Sequence, residues 1–259
     1  DSGWYHACAI DILGQMECWG KNNRGQTSFD TTIAYKQVSG GYEHTCAITE
    51  SNTVSCFGWD SSTQSTPPSG TFTQVSAGYN HTCGLTLLGT IKCWGDDTYN
   101  KVTDAPTGNN WVQVSAGTDH NCAMNSAGSL YCWGDSSQGA TQVNVNKTGY
   151  QWVDVGNTVS CFVDENDNLD CTGTTAFGSW DDFSNDTNYI QVSAGQNHVC
   201  SLLDSGFVAC DGESASGQTS APDNSFKDIS SGSDFTCGIN DSNSIQCWGD
   251  DTHNQVTPP

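Results

Sequence analysis

No stretch of this 259-residue chain keeps apolar residues at the 3.6-residue interval of a helix, so helix should be nearly absent. The apolar positions fall in short segments that read as strands, separated by polar turns. Val75–Gly95, VSAGYNHTCGLTLLGTIKCWG, sets the pattern. It holds Cys83 and Cys93 with nine residues between them. The same spacing joins Cys8 with Cys18, Cys46 with Cys56, Cys122 with Cys132, Cys161 with Cys171, Cys200 with Cys210 and Cys237 with Cys247. All 14 cysteines therefore fall into seven copies stepping by 37 to 39 residues. A fixed period of this size means a solenoid, a propeller or an array.

A glycine stands five residues before each first cysteine (Gly3, Gly41, Gly78, Gly117, Gly156, Gly195, Gly232). Another stands two after each second cysteine (Gly20, Gly58, Gly95, Gly134, Gly173, Gly212, Gly249). Such recurrence marks a backbone that needs positive φ or close approach. Placing the two cysteines opposite each other on antiparallel strands leaves a three-residue loop, whose third position wants a left-handed residue. That position holds Gly14, Asn52, Gly89, Gly128, Asp167, Gly206 and Asn243, all types that tolerate this region.

Val38-Ser39, Val75-Ser76, Val114-Ser115, Val153-Asp154, Val192-Ser193 and Ile229-Ser230 read as a strand before each hairpin from the second onward. After each hairpin comes a polar turn and a short segment such as Gly25-Gln26-Thr27 or Gly217-Gln218-Thr219. About four strands per repeat, seven times over, predict an all-β, seven-bladed β-propeller. It forms one domain over 1–259, with repeats at about 1–37, 38–74, 75–113, 114–152, 153–191, 192–228 and 229–259. The first hairpin lacks its preceding strand. Either the ring closes with one thinner blade or residues outside this chain supply the strand, and an open edge is a template for strand addition.

Charge narrows the function. The formal net charge is −22 with only seven Lys and Arg residues, which disfavours nucleic acid and anionic membranes as partners. Regular cysteine pairs without the companion spacing of a zinc site point to disulfides and an oxidising compartment. No run of 18 apolar residues suggests a membrane span, and the start at Asp1, inside a repeat, reads as a mature or trimmed secreted protein. The fifth repeat is the least regular, with Val159 and Thr172 at patterned positions and the Asp-rich linker Ser179–Asn188 behind it. Asp211 and Phe235 depart in the sixth and seventh.

The units VSAGYNHTCGLTLLGTIKCWG and VSAGTDHNCAMNSAGSLYCWG resemble RCC1-type repeats through their V-S-A-G, H-T-C-A-[LI] and C-W-G elements. The cysteine-paired form is similar to the extracellular branch of that superfamily, which includes the β-lactamase inhibitor protein II group and Crinkly4-type plant receptor ectodomains. The resemblance implies a seven-bladed propeller with a binding role, usually without catalysis or cofactor.

Candidate chemistry is sparse. His6, His44, His81, His120 and His198 each lie two residues before a cysteine, which suits a framework hydrogen bond better than a shared metal. Trp19, Trp94, Trp133 and Trp248 of Cys-Trp-Gly read as blade-to-blade packing. Trp4, Trp59, Trp111, Trp152 and Trp180 lie outside that motif and are the binding candidates, as stacking platforms for sugars or anchors for a protein. Asp164, Asn166, Asn168 and Asp170 echo part of a calcium loop without its central Gly and distal Glu, so a solvated turn competes with a metal site. Asn80, Asn146, Asn185 and Asn240 begin glycosylation sequons. No nucleophile, zinc-protease or phosphate-loop motif occurs, so no enzyme is expected. The expectation is a secreted or cell-surface binding scaffold for a protein partner. The alternatives are a fibre or surface subunit joining copies of itself through the incomplete blade, and a glycan-binding lectin.

Overall fold

A computed structural model describes residues 1–174 and 188–259. The chain forms seven antiparallel sheets in sequence order around an axis. Blade 1 is a pair, β1 (His6–Ile10) and β2 (Met16–Gly20). Blade 2 holds β3 (Tyr35–Gly40), β4 (His44–Thr49) and β5 (Val54–Gly58), and blade 3 holds β6 (Phe72–Ala77), β7 (His81–Thr86) and β8 (Ile91–Gly95). Blade 4 holds β9 (Trp111–Ala116), β10 (His120–Asn125) and β11 (Leu130–Gly134), and blade 5 holds β12 (Tyr150–Val155), β13 (Val159–Asp164) and β14 (Leu169–Gly173). Blade 6 holds β15 (Tyr189–Ala194), β16 (His198–Leu203) and β17 (Val208–Gly212), and blade 7 holds β18 (Phe226–Ser231), β19 (Phe235–Asn240) and β20 (Ile245–Gly249). One 3-10 turn, Thr98–Asn100, is the helical content of the described residues.

The hairpin register is the one the cysteines imply. Cys8 lies directly opposite Cys18, Cys46 opposite Cys56, Cys83 opposite Cys93 and Cys122 opposite Cys132. Likewise Cys161 lies opposite Cys171, Cys200 opposite Cys210 and Cys237 opposite Cys247. All seven pairs are disulfides, with Cα atoms 4.0–4.1 Å apart. Each hairpin turns on a left-handed third residue, from Asp167 at φ 59° to Gly206 at φ 86°. A side chain at the entry often caps the turn: Asp11 Oδ1 accepts the Leu13 and Gln15 N–H groups, and Asn240 Oδ1 those of Ser242 and Ser244.

The two glycine series have different causes. Gly58, like its counterparts, has a positive φ, here 104°. Gly41 does not, but a Cβ there would lie 2.5 Å from the Gly78 carbonyl oxygen. Its whole series shares this close approach between neighbouring blades. Along it runs a circle of seven backbone hydrogen bonds, 3.1–3.4 Å long. It passes Trp4 N–H to Gly41 O, Tyr42 to Gly78, Tyr79 to Gly117, Thr118 to Gly156, Asn157 to Gly195, Gln196 to Ser233 and Ser233 back to Trp4.

Among the described residues the expected fourth strand is absent. Residues 23–27 and the equivalent segments among the described residues form tight turns instead. Gly25 takes φ 83°, and the fully buried Gln26 accepts the Arg24 N–H on its own side-chain oxygen. The Gln26 carbonyl serves the Thr45 hydroxyl of the next blade rather than a ladder. Among the described residues, blades 2 to 7 therefore have three strands each and blade 1 has two.

Side chains join the blades. The His6 Nε2 meets the Thr45 hydroxyl at 2.7 Å, and His44–Thr82, His81–Asn121, His120–Ser160 and His198–Thr236 repeat the arrangement. Indole N–H groups of Trp94, Trp133 and Trp248 donate to the carbonyls of Gln64, Lys101 and Gln218 in the preceding repeat. Trp19 donates to Gln255, tying the first blade to the last. Apolar clusters lie between successive sheets, for example Cys46, Ile48, Phe72, Val75 and Trp94.

Candidate binding face

The inner strands line an axial cavity of about 490 Å³. Its wall is a zipper. Gln37 donates to the Val75 carbonyl and accepts its N–H, and Gln113 does the same for Val153 and Gln191 for Ile229. Ser39, Ser76, Ser115 and Ser193 accept N–H groups from the next blade. Asp154 replaces serine in blade 5 and accepts from Ala194 N–H and the Ser115 hydroxyl, while burial pushes its carboxyl above the ordinary value. These groups are spent on one another, so the wall is framework.

The mouth at the glycine circle differs. The residue after each framework glycine belongs to this circle, and Trp4, Thr118, Asn157 and Gln196 line the cavity. Blades 1 to 3 place aromatic rings there, whereas blades 4 to 7 place Thr118, Asn157, Gln196 and Ser233. Tyr42 stacks on Tyr79 with centroids 4.2 Å apart, and Trp4 packs edge-on to both at 5.0 Å. Tyr5 extends the array toward Tyr42 at 6.1 Å and His253 at 5.4 Å. All four are half-buried, with ring surface still open.

A cationic layer flanks the rings. The Lys21 ammonium lies 4.8 Å from the Tyr5 centroid and pairs with Glu43 at 2.7 Å, and Arg24 bonds Glu43 at 3.3 Å while lying over Trp59 at 5.6 Å. Burial works to raise the Glu43 carboxyl, but the two cations outweigh it and hold it below the ordinary value. Burial, then the neighbouring Tyr42 hydroxyl, pushes Tyr79 up to about 12, so its phenol keeps its proton at pH 7. Beyond Tyr5 the sign changes. Asp234 sits near Glu213 and Asp250, and burial followed by these like charges raises its carboxyl.

The sequence candidates separate. Trp4 and Trp59 stand on this face. Trp111 packs against Tyr131 and the blade 4 cluster at the other end of its strand, with Nε1 donating to Thr107 O. Trp152 donates to Val192 O as part of the axial zipper. Trp180 lies outside the described residues, as does Asn185. Asp164 Oδ1 accepts the Asn166 and Asn168 N–H groups and its other oxygen pairs with Lys147 at 3.0 Å, so this carboxylate caps a hairpin. Asn166 and Asn168 belong to that turn, and Asp170 lies on β14 beside the Tyr150 hydroxyl. Among the described residues no group of three or more His, Cys, Asp or Glu could hold a metal ion. Asn146 is exposed, Asn80 is half-buried at the mouth, and Asn240 caps its hairpin. Tyr5, Tyr42 and Tyr79 were missed. The signal for Trp4, Tyr42 and Tyr79 was a run of aromatics after the framework glycine in three consecutive repeats.

A family model described as the regulator of chromosome condensation (RCC1) repeat matches residues 1–26, 35–64, 72–101, 111–140 and 226–255, more than half of the chain. The chain belongs to the RCC1 repeat family. The fifth and sixth repeats, where Thr172 and Asp211 replace tryptophan, are the ones this match passes over. No curated protein matches the sequence closely enough to be called a relative. Among solved structures, this RCC1-repeat chain is similar to the CRINKLY WD40 ectodomain of the Arabidopsis thaliana receptor kinase ACR4. The TM-score is 0.80 at 23% identity, over 98% of this chain and 93% of that one. It is similar to the ectodomain of the Physcomitrella patens receptor kinase CR4, with TM-score 0.75 at 20% identity over 94% and 70%. It is also similar to Prp20p from Saccharomyces cerevisiae, whose reported partners are Gsp1p and histones, with TM-score 0.76 at 15% identity over 91% and 80%. These likenesses show the fold.

Proposed function

We propose that this RCC1-repeat propeller is a non-catalytic, extracellular scaffold that docks a protein partner on the mouth of blades 1 to 3. The carrying observation is the Trp4–Tyr42–Tyr79 array with Tyr5 and Trp59 beside it. Such rings supply large contact area at low entropic cost and dominate protein interfaces. The carboxylates of Asp234, Glu213 and Asp250 adjoin the array, so a partner with a cationic rim fits. Seven disulfides and the similarity to receptor ectodomains support an oxidising, extracellular setting. Five of the six histidines and all the cysteines are committed to the framework, which supports a binding rather than a catalytic role.

The test is selection of binders from a displayed library of extracellular domains. Trp59→Ala and Tyr79→Ala should each weaken the selected complexes about tenfold or more, and Leu88→Ala on the opposite end should not. Complexes indifferent to both ring variants contradict the proposal, and competition by free sugars would transfer the face to a lectin.

A further inference from the structure

One ion pair of the ring has an unfilled copy. Lys101 stands eight residues after Cys93 and is 1% exposed. Its ammonium sits between two carboxylates, 2.8 Å from Asp96 of its own repeat and 2.6 Å from Asp119 of the next. Gln218 takes the same place, eight residues after Cys210. Its backbone carbonyl accepts the Trp248 indole N–H at 2.9 Å, as that of Lys101 accepts the Trp133 indole at 2.9 Å. The flanking residues match as well, with Glu213 standing where Asp96 does and Asp234 where Asp119 does. Glu213 N–H donates to Asn197 O as Asp96 N–H does to Asn80 O. Asp234 O accepts from Asp250 N–H as Asp119 O does from Asp135 N–H, all four bonds at 2.8 Å.

The copy keeps both acids and lacks the cation. Gln218 is 1% exposed, its side-chain oxygen turns back to accept the Ser216 N–H, and its buried Nε2 has no hydrogen-bond partner. In Gln255, one repeat further on, the same Nε2 donates to Asp250, the counterpart of Glu213, so the unpartnered amide of Gln218 faces the gap between Glu213 and Asp234. The two carboxylates themselves are half-buried and bonded only by neutral donors, Asn197 to Glu213 at 3.1 Å and Ser233 to Asp234 at 2.8 Å. Among the described residues no Lys or Arg pairs with either of them, and no third ligand is placed to make the pair a metal site. Half-buried negative charge without a counter-charge, beside a buried donor without an acceptor, is a costly arrangement that a ligand of matching chemistry relieves.

We propose that the gap between Glu213 and Asp234 receives a lysine side chain of the protein partner, its ammonium taking the place that Lys101 fills between Asp96 and Asp119. The assignment rests on the reading of the mouth as a docking face. Asp234 acts electrostatically on Tyr5 at the end of the aromatic array, so a segment lying on the rings carries its lysine to the gap. A carbonyl oxygen of that segment can accept the Gln218 Nε2–H. The pairing is charge-assisted on both sides of the ammonium, which favours a primary amine over a neutral or acetylated side chain.

The probe is a displayed library of random dodecapeptides selected on the full chain. Selected peptides should hold a lysine whose replacement by Nε-acetyl-lysine weakens binding about tenfold or more. Gln218→Lys supplies the missing cation from within and should weaken the same peptides as much, with its own cooperative melt confirming the fold. Ser126→Lys, the same change of charge on a hairpin tip at the opposite end, should leave them within about twofold. Peptides lost with Tyr79→Ala but indifferent to Gln218→Lys and to lysine acetylation overturn this inference and leave the docking face in place. Peptides that depend on their lysine and are lost with Gln218→Lys, yet ignore Tyr79→Ala, uphold the ammonium site and strike the docking face. A selection without any lysine-dependent peptide overturns the inference outright.

Discussion

Lowering the pH from 7 to 5 should destabilise this propeller through its five buried histidines. The hydroxyls of Thr45, Thr82 and Ser160 donate to carbonyls of the preceding repeat, so each must accept its hydrogen from the imidazole Nε2. The Asn121 oxygen likewise accepts from His81. These rings are therefore neutral with the proton on Nε2. In His6, His44 and His81 the Nδ1 atom is buried without a partner, so a second proton would be both a buried charge and an unsatisfied donor. Burial accordingly pushes His6, His81, His120 and His198 down to about 4 and His44 to about 3. Since the folded values lie below the unfolded value near 6.5, the unfolded chain binds more protons in this window. Stability is then fully present above pH 6.5 and is lost as pH falls toward 4. Between pH 7 and 5 each histidine contributes a loss of about 1.9 kcal/mol, about 9 kcal/mol for five. The buried Asp1 amine, also held low, acts in the same direction, while Asp154 and Asp234, held high by burial, oppose it. Carboxylates held low, such as Glu43 and Asp164, matter only below about pH 4.5. Guanidinium unfolding followed by tryptophan fluorescence at pH 7, 6 and 5 reads the effect. With a slope of roughly 4 kcal/mol per molar, the midpoint should fall by about 2 M. His44→Gln should reduce the pH dependence by about a fifth. A midpoint that holds or rises down to pH 5 would refute the reasoning.

Other perturbations test the frame. Gly41→Ala places a Cβ 2.5 Å from the Gly78 carbonyl oxygen and should cost about 1–3 kcal/mol in denaturant unfolding, whereas Gly217→Ala, with nothing within 4 Å, should cost less despite its φ of 81°. Replacing Cys83 and Cys93 together by serine should lower stability by about 3 kcal/mol on the loop-entropy account, read from the same unfolding curves under oxidising conditions. Trp94→Phe removes the donor to Gln64 O but leaves the Thr82 hydroxyl on that carbonyl, so the loss should be near 1 kcal/mol in a thermal melt.

The period, the cysteine register and the left-handed turn residues were legible because each is local. A three-residue loop closes only on a residue such as Gly89 or Asn52, wherever the blade sits. The tail segment misled because Gln26 looks like a strand residue, and only the neighbouring blade reveals that its carbonyl is taken by Thr45. The binding face was half legible. Trp4 and Trp59 were singled out, but Trp152 was equally conspicuous and proved to be a stand-in for a zipper glutamine. No single repeat contains the array, since Trp4, Tyr42 and Tyr79 meet only when three blades close around the axis.

The measurement that bears most directly on the docking claim compares the two ends of the ring. A photo-crosslinking residue at Tyr79 and, separately, at Leu88 places a reporter at opposite ends of β7; Leu88 is exposed beside Leu87 on a hairpin tip. In the proposed extracellular setting, the account predicts a discrete protein adduct at Tyr79 that weakens with added salt, and none at Leu88. Adducts at Leu88 alone, or sugar-bearing lipid at Tyr79 in place of protein, would contradict it.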